Sequence, residues 1–303
     1  MMKLTDFQQK ITALLPKIEL RYNEMLARHT SFRIGGPAEV MAFPNSVEAL
    51  IEILKVSKDL DCNFAILGAG TNVLAPDEGV QGLVVCLKDC LDSLERLDDT
   101  RIRVGAGVTM SRAAVFAAKC CLGGMEFTHG IPGTVGGGVY MNAGAYGGEI
   151  AQICESVDVV YPDGKCITIP AGEMEFSYRH SRLEDDGGIV VSAVFALTKR
   201  PEEEVRSQMQ ELMQRRKNFQ PLDLPSAGSA FKRPASGYAA ALIDECGLKG
   251  YQVGGAAVSK KHAGFVVNVD NATATDVRQL LQQVSQRVYD KTGIRLEPEV
   301  RIW

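Results

Sequence analysis

Apolar residues recur along this chain in two periods, and the switches between them mark out its elements. Residues from about Asp6 to Leu26 read as an amphipathic helix interrupted at Pro16. Val47, Leu50, Ile51 and Leu54 repeat at helical spacing, and Asn45 with Glu48 three residues on resembles a capping box ahead of them. Asn63–Leu67, Leu83–Leu87 and Arg101–Val104 are runs of strand length. Thr109 suits the N-cap of a helix through Ala113, Ala117 and Ala118, stopped by Gly123 and Gly124. Val157–Tyr161, the turn Pro162-Asp163-Gly164 and Lys165–Ile169 read as a hairpin, followed by a buried strand at Ile189–Leu197.

Beyond a boundary near Lys199–Pro201 the helical period returns. Pro201 and three glutamates open a helix and Arg215-Arg216-Lys217 close it, a charge order that suits the helix dipole. Tyr238–Cys246 reads as a short helix ended by Gly247, and Gly264–Val269 as a strand. A last helix from about Thr275 to Lys291 faces Val277, Leu280, Leu281, Val284 and Val288 inward. Strands and helices mix without a regular strand–helix–strand alternation, so the expected class is α+β.

Gly130–Gly148 breaks both periods. The stretch carries eight glycines threaded with Ile131, Val135, Val139, Tyr140, Met141 and Tyr146, unlike a flexible linker. Glycine loses more backbone entropy on folding than any other residue, so this density implies close backbone approach, with N–H groups free for anionic oxygens. The competing reading is a tight connection packed against the chain itself. A second turn, Gly68-Ala-Gly-Thr-Asn72, follows an apolar run as a phosphate-binding turn would. It lacks the third glycine and the following helix of a dinucleotide fingerprint, and Pro76 with Leu83–Leu87 points to another strand.

Composition narrows the class. A net charge of −4 gives no basic field for nucleic acid or an anionic membrane, and no apolar run approaches the length of a spanning helix. The N-terminal stretch lacks a signal peptide's apolar core, so the cytoplasm is expected. The eight cysteines and four histidines form no metal-ligand spacing, and no metal is expected.

Set in order, several segments resemble one family. They are His29-Thr-Ser-Phe-Arg-Ile-Gly-Gly36, Gly68-Ala-Gly-Thr-Asn72 and Gly130-Ile-Pro-Gly-Thr-Val-Gly-Gly137, then Tyr178-Arg-His-Ser181, Ala227-Gly-Ser-Ala-Phe-Lys232 and Glu297-Pro-Glu-Val-Arg301. Together they resemble UDP-N-acetylenolpyruvoylglucosamine reductases, in the shorter, type II form. The resemblance implies an FAD-binding region of the vanillyl-alcohol-oxidase type in two α/β subdomains, followed by an α+β substrate domain. The expected divisions are an N-terminal helix at 1–27, the FAD-binding region at 28–197 split near 92–100, and the substrate domain at 200–303. The activity implied is NADPH-driven reduction of the enolpyruvyl sugar nucleotide to UDP-N-acetylmuramate through FAD, in peptidoglycan precursor synthesis.

The resemblance also assigns residues. Arg179, Ser229 and Glu299 are the expected catalytic set. Gly68, Gly70, Thr71, Asn72, Gly130, Ile131, Pro132, Gly133, Thr134, Gly136 and Gly137 are expected at FAD, with Arg33, Arg216 and Arg301 as looser candidates. Lys232 and Arg233 are expected at the substrate; Arg233 stands where many members carry asparagine. Hydride delivered to the terminal enolpyruvyl carbon leaves negative charge at its neighbour and the carboxylate, which needs fixed donors and then a proton. Arg179 suits the carboxylate. Glu299 is either held by Arg179 or protonated and donating. Ser229 is the proton donor, restored by Lys232 or water, and His129 reads as structural. The partner is a small nucleotide sugar, with no nucleic acid or membrane, and the protein is expected to be a monomer or weak homo-oligomer. The alternatives are an FAD-dependent sugar or hydroxy-acid oxidase on the same fold and a non-catalytic binding module.

Overall fold

A computed structural model describes residues 2–303. The chain forms two compact units: Met1–Tyr22, Val40–Ala69 and Gly82–Gln214 make the first, and Asn23–Glu39, Gly70–Gln81 and Arg215–Trp303 the second.

The first unit opens with helix α1 (Met2–Leu14) and a four-stranded sheet in the order Glu19–Met25, Pro37–Phe43, Val80–Cys86, Phe64–Leu67. Phe64–Leu67 and Leu83–Cys86 run parallel, and α2 (Val47–Asp59) connects Pro37–Phe43 to Phe64–Leu67. Phe7 and Ile11 of α1, Leu50, Ile53 and Leu54 of α2, and Val40, Leu83 and Val85 of the sheet share one core. Two expectations fail here. The helix foreseen as far as Leu26 ends at Leu14, because Pro16 cannot donate the next helical bond, and sheet pairing takes Glu19–Met25. Asn23 stands at φ 50°, which a helix excludes. The cap of α2 is Ser46, whose hydroxyl accepts from the Ala49 amide at 3.1 Å, one residue later than the Asn45 box.

The rest of that unit is built on a five-stranded sheet in the order Cys166–Pro170, Cys154–Val160, Ile189–Ala196, Arg101–Gly105, Leu94–Arg96, every pairing antiparallel. Ile102 and Val104 are buried while Arg101 and Arg103 are exposed, the alternation of a half-buried strand. Helix α3 (Met110–Lys119), capped by Thr109 as expected, and the short α4 (Val135–Tyr140) cover this sheet. Ala113, Ala117, Val135 and Val139 join Val157, Ala193 and Phe195 in its core. α4 lies inside the glycine segment, which the sequence reads as loop throughout. The unit ends with α5 (Leu183–Asp186) and most of α6 (Glu202–Phe219).

In the second unit an antiparallel sheet runs Ser226–Ser229, Phe265–Asn268, Ala256–Val258, Gln252–Val253. Helices α7 (Ala239–Glu245) and α8 (Ala274–Thr292) pack on it, with Val277, Leu280, Leu281, Val284 and Val288 buried as expected. α8 carries a Thr273–Asp276 capping box and ends at Gly293 in the left-handed region (φ 73°). Phe32, Ile34 and Leu74 join this core although they come from far upstream. Among the described residues no helix is long and apolar enough to cross a membrane, and no three His, Cys, Asp or Glu side chains cluster as metal ligands.

Candidate active site

In the first unit the strand Phe64–Leu67 delivers Gly68 against the start of α4. A Cβ on Gly68 would stand 2.7 Å from Thr134 Oγ1. Thr134 is buried and caps α4, its hydroxyl accepting from the Gly137 amide at 3.4 Å. The loop is laced to the Gly105–Met110 segment: Val135 N donates to Val108 O (2.8 Å), Gly136 N to Ala106 O (2.9 Å) and Met110 N to Gly133 O (3.0 Å). Part of the glycine demand is internal, as the competing reading held. A Cβ on Gly136 would meet Ala106 Cβ at 3.0 Å, and one on Gly138 would meet Met110 Sδ at 2.8 Å.

The remainder fits an anionic ligand. Gly137 is exposed, and its Cβ would meet only Thr134 Oγ1 at 3.7 Å. Among the described hydrogen bonds the amides of Gly68 and Gly133 donate to nothing in the chain. No carboxylate occurs between Gly130 and Gly148. Uncommitted backbone donors with no competing acid are what a diphosphate requires. Ile131 packs against the sheet core, its amide donating to Thr128 O at 3.0 Å, and Pro132 is exposed. His129 Nδ1 lies 3.1 Å from Ser111 Oγ, and burial pushes the imidazole's pKa down, toward the neutral form.

Arg179 belongs to the same unit. It stands at φ 59° in a turn that Ser177 and His180 close by reciprocal backbone bonds, Ser177 N to His180 O at 3.1 Å and His180 N to Ser177 O at 3.2 Å. Its Nη2 donates to Gly144 O at 3.4 Å, and its guanidinium lies 5.1 Å from the Tyr178 ring centre. Asn142, buried, donates from Nδ2 to Ser177 O at 3.0 Å and accepts from Ala151 N at 2.9 Å. Ser181 Oγ donates to Tyr140 O at 2.8 Å. Neither Asn142 nor Ser181 stands out by sequence spacing; an asparagine beside the glycines, tolerant of positive φ (42° here), is the one signal.

The second unit brings Ser229, Glu299 and Asn72 together. Ser229 ends its strand after Gly228 (φ 78°), where the register against Phe265 shifts, and it is exposed. Glu299 N donates to Ala230 O at 2.9 Å, so the two segments run side by side. Asn72 Nδ2 donates to Glu299 O at 3.1 Å, while Arg301 N donates to Asn72 O at 2.9 Å. Arg301 thus begins a two-stranded parallel ladder with Val73 and Leu74, and the strand expected at Leu83–Leu87 forms within Val80–Cys86. Gly70 (φ 60°) presses on the His29–Gly36 loop, where a Cβ would lie 2.1 Å from His29 O. Ser31 Oγ donates to Ser226 O at 2.6 Å, and the exposed Arg33 sits at φ 56°.

The remaining candidates are Lys232, Arg233 and Arg216, and Lys232 extends the pairing of the Ser229 and Glu299 segments. Lys232 donates its amide to Glu297 O (2.8 Å) and pairs with Glu297 Oε2 at 3.6 Å. Arg233 lies over the Tyr238 ring at 4.5 Å. Arg216 is buried at the end of α6, and one turn on, Gln220 Oε1 is the one buried side-chain polar atom lacking a partner among the described residues.

The first unit carries an FAD-binding domain, which makes the class of this protein a flavoprotein. Residues 38–170 match an FAD-binding domain family, and a solved alkyldihydroxyacetonephosphate synthase, 17% identical, shares the fold at TM-score 0.50 over 64% of this chain and 40% of its own. Residues 220–303 match the C-terminal domain of UDP-N-acetylenolpyruvoylglucosamine reductase. The UDP-N-acetylenolpyruvoylglucosamine reductase of Caldanaerobacter subterraneus is 44% identical over 97% of this chain and 96% of its own length. That of Clostridium novyi is 41% identical over 100% and 98%. The crystal structure of the Thermus caldophilus enzyme is 36% identical, with TM-score 0.79 over 95% of this chain and 99% of that one. The chain belongs to the UDP-N-acetylenolpyruvoylglucosamine reductase family.

Proposed function

We infer that the protein reduces UDP-N-acetylenolpyruvoylglucosamine to UDP-N-acetylmuramate with NADPH, through FAD, supplying a peptidoglycan precursor. The observation that carries this reading is the pairing of the Ser229 and Glu299 segments (Glu299 N to Ala230 O, 2.9 Å) in a chain matched to the family over nearly its full length.

Reduction adds a hydride to the terminal enolpyruvyl carbon and a proton to the carbon bearing the carboxylate, while NADPH becomes NADP⁺. A bound FAD would supply the hydride-transfer chemistry between NADPH and the substrate. Gly68 and the loop Gly130, Ile131, Pro132, Gly133, Thr134, Gly136 and Gly137 would hold its diphosphate through backbone amides. Gly70, Thr71, Asn72, Arg33, Arg216 and Arg301 are the second unit's proposed contributors to cofactor binding.

Arg179, a planar guanidinium, grips the substrate carboxylate and stabilises the charge that builds there. Glu299 acts on the same developing charge. Ser229 gives its proton to the carbanionic carbon; a hydroxyl is a weak acid, but that carbon is a stronger base, so the aligned transfer runs downhill. Lys232 and Arg233 contact the substrate. Residues 28–197 are proposed as the FAD-binding region and 200–303 as the substrate domain. The same reading puts the protein in the cytoplasm, as a monomer or weak homo-oligomer with no nucleic-acid or membrane partner.

Anaerobic stopped-flow tests the assignment. Ser229→Ala is expected to leave bleaching of the flavin by NADPH nearly intact, while reoxidation by the enolpyruvyl substrate falls by about 100-fold or more, the scale of a lost general acid. Equal loss in both half-reactions would show Ser229 acting in folding or cofactor binding instead. An oxidase would give a flavin that NADPH does not bleach.

A further inference from the structure

We propose that Asn142 is a positioning residue for the reaction, holding Arg179 in the turn from which its guanidinium meets the substrate carboxylate. The proposal rests on the reading of Arg179 given above.

An arginine in the left-handed region persists only where its surroundings over-determine it. Three contacts do so around Arg179, and all three have their other end in residues 140–144. Asn142 Nδ2 holds Ser177 O (3.0 Å), the Ser181 hydroxyl holds Tyr140 O (2.8 Å), and Gly144 O receives Arg179 Nη2 (3.4 Å). These residues follow directly on α4, whose first turn Thr134 caps at the glycine loop. One short helix therefore carries the loop at one end and the anchorage of Arg179 at the other. A shift of α4 along its axis would move both.

Asn142 is the central contact of the three. It is 1% exposed, and both ends of its amide are used: the oxygen accepts from Ala151 N at 2.9 Å while the nitrogen donates into the turn. Its own φ of 42° is one asparagine tolerates and most side chains do not. The polar group is thus spent on aiming a turn whose tip, Tyr178, is exposed.

Asn142→Asp keeps the shape and the acceptor but sets a carboxylate against Ser177 O; Asn142→Gly removes the side chain and relieves the positive φ. In FAD-loaded enzyme both variants are expected to keep wild-type flavin content, melting temperature within a few degrees, and NADPH-driven bleaching. Reoxidation by the enolpyruvyl substrate should slow by about 10- to 100-fold, the scale of a misplaced reacting geometry. The substrate's Kd for oxidised holoenzyme, read by calorimetry, should weaken in parallel. Combined with Arg179→Lys, the loss should be no greater than with Arg179→Lys alone, because both changes disable one contact. Full-speed reoxidation in both Asn142 variants, with Arg179→Lys impaired, would overturn the positioning role. Loss of flavin or of fold in both variants would also overturn it, making Asn142 a residue of the scaffold. Full-speed reoxidation in Arg179→Lys and Arg179→Ala would overturn the reading of Arg179 itself.

Discussion

A methyl group on Gly137 would meet nothing closer than Thr134 Oγ1 at 3.7 Å, whereas one on Gly70 would lie 2.1 Å from a backbone carbonyl. The two glycines therefore answer to different demands. Gly70, at φ 60°, is required by the chain's own packing. Gly137 sits in a helix, where alanine is favoured by about 1 kcal/mol, so stability alone would replace it. Gly137→Ala is expected to leave the apoprotein's Tm equal or higher and to lower the fraction of FAD retained through gel filtration. Unchanged retention would show that the cofactor does not approach that backbone. The glycine density was legible from sequence; which glycines face a ligand and which face Ala106 or Met110 was not, because those neighbours lie some 25 to 30 residues upstream.

The last helix shows how much of an element its sequence specifies and where that stops. Its apolar stripe is a local signal that holds in the fold, and the helix ends at Gly293. Its start is reinforced from far away: Asp77 accepts from Ala274 N at 2.6 Å, Thr275 N at 3.0 Å and Thr275 Oγ1 at 3.0 Å. Asp77→Ala is expected to cost about 1–2 kcal/mol, the range of a lost N-cap, seen as a lower urea midpoint with an unchanged m-value. An unchanged midpoint would mean that the Thr273–Asp276 box caps the helix unaided. Glu19–Met25 failed for the converse reason: its charged, helix-compatible residues give way to pairing with a neighbouring strand, which the segment itself does not encode.

Over the whole molecule the eight cysteines remain free, and burial separates them. It pushes the Cys154 thiol up to about 12 and the Cys90 thiol up to about 11, and it raises that of Cys86. A raised thiol pKa leaves almost no thiolate at neutral pH, and the thiolate is the reactive form. At pH 7.5 the exposed Cys121 is expected to react first with a disulfide reagent, Cys166, exposed but with its thiol also raised, after it, and Cys86 and Cys154 only after denaturation. Rapid labelling of Cys154 in the folded enzyme, located by mass spectrometry, would contradict that order.

What the amino-acid order determined by itself was carried by near neighbours: the helical stripes, the Thr109 cap, the Gly247 stop, the hairpin and the ordered motifs that mark the family, whereas α3 ends at Lys119, ahead of the expected stop at Gly123 and Gly124. The tertiary structure alone decided that Asn23–Glu39 and Gly70–Gln81 join the C-terminal segment in one compact unit. It also set Asn72 on the backbone of Glu299, and Asn142 on the turn of Arg179. The reason is physical: periodicity and capping act within a few residues, whereas these contacts join groups 35 to 227 positions apart, held only once burial has closed the intervening chain.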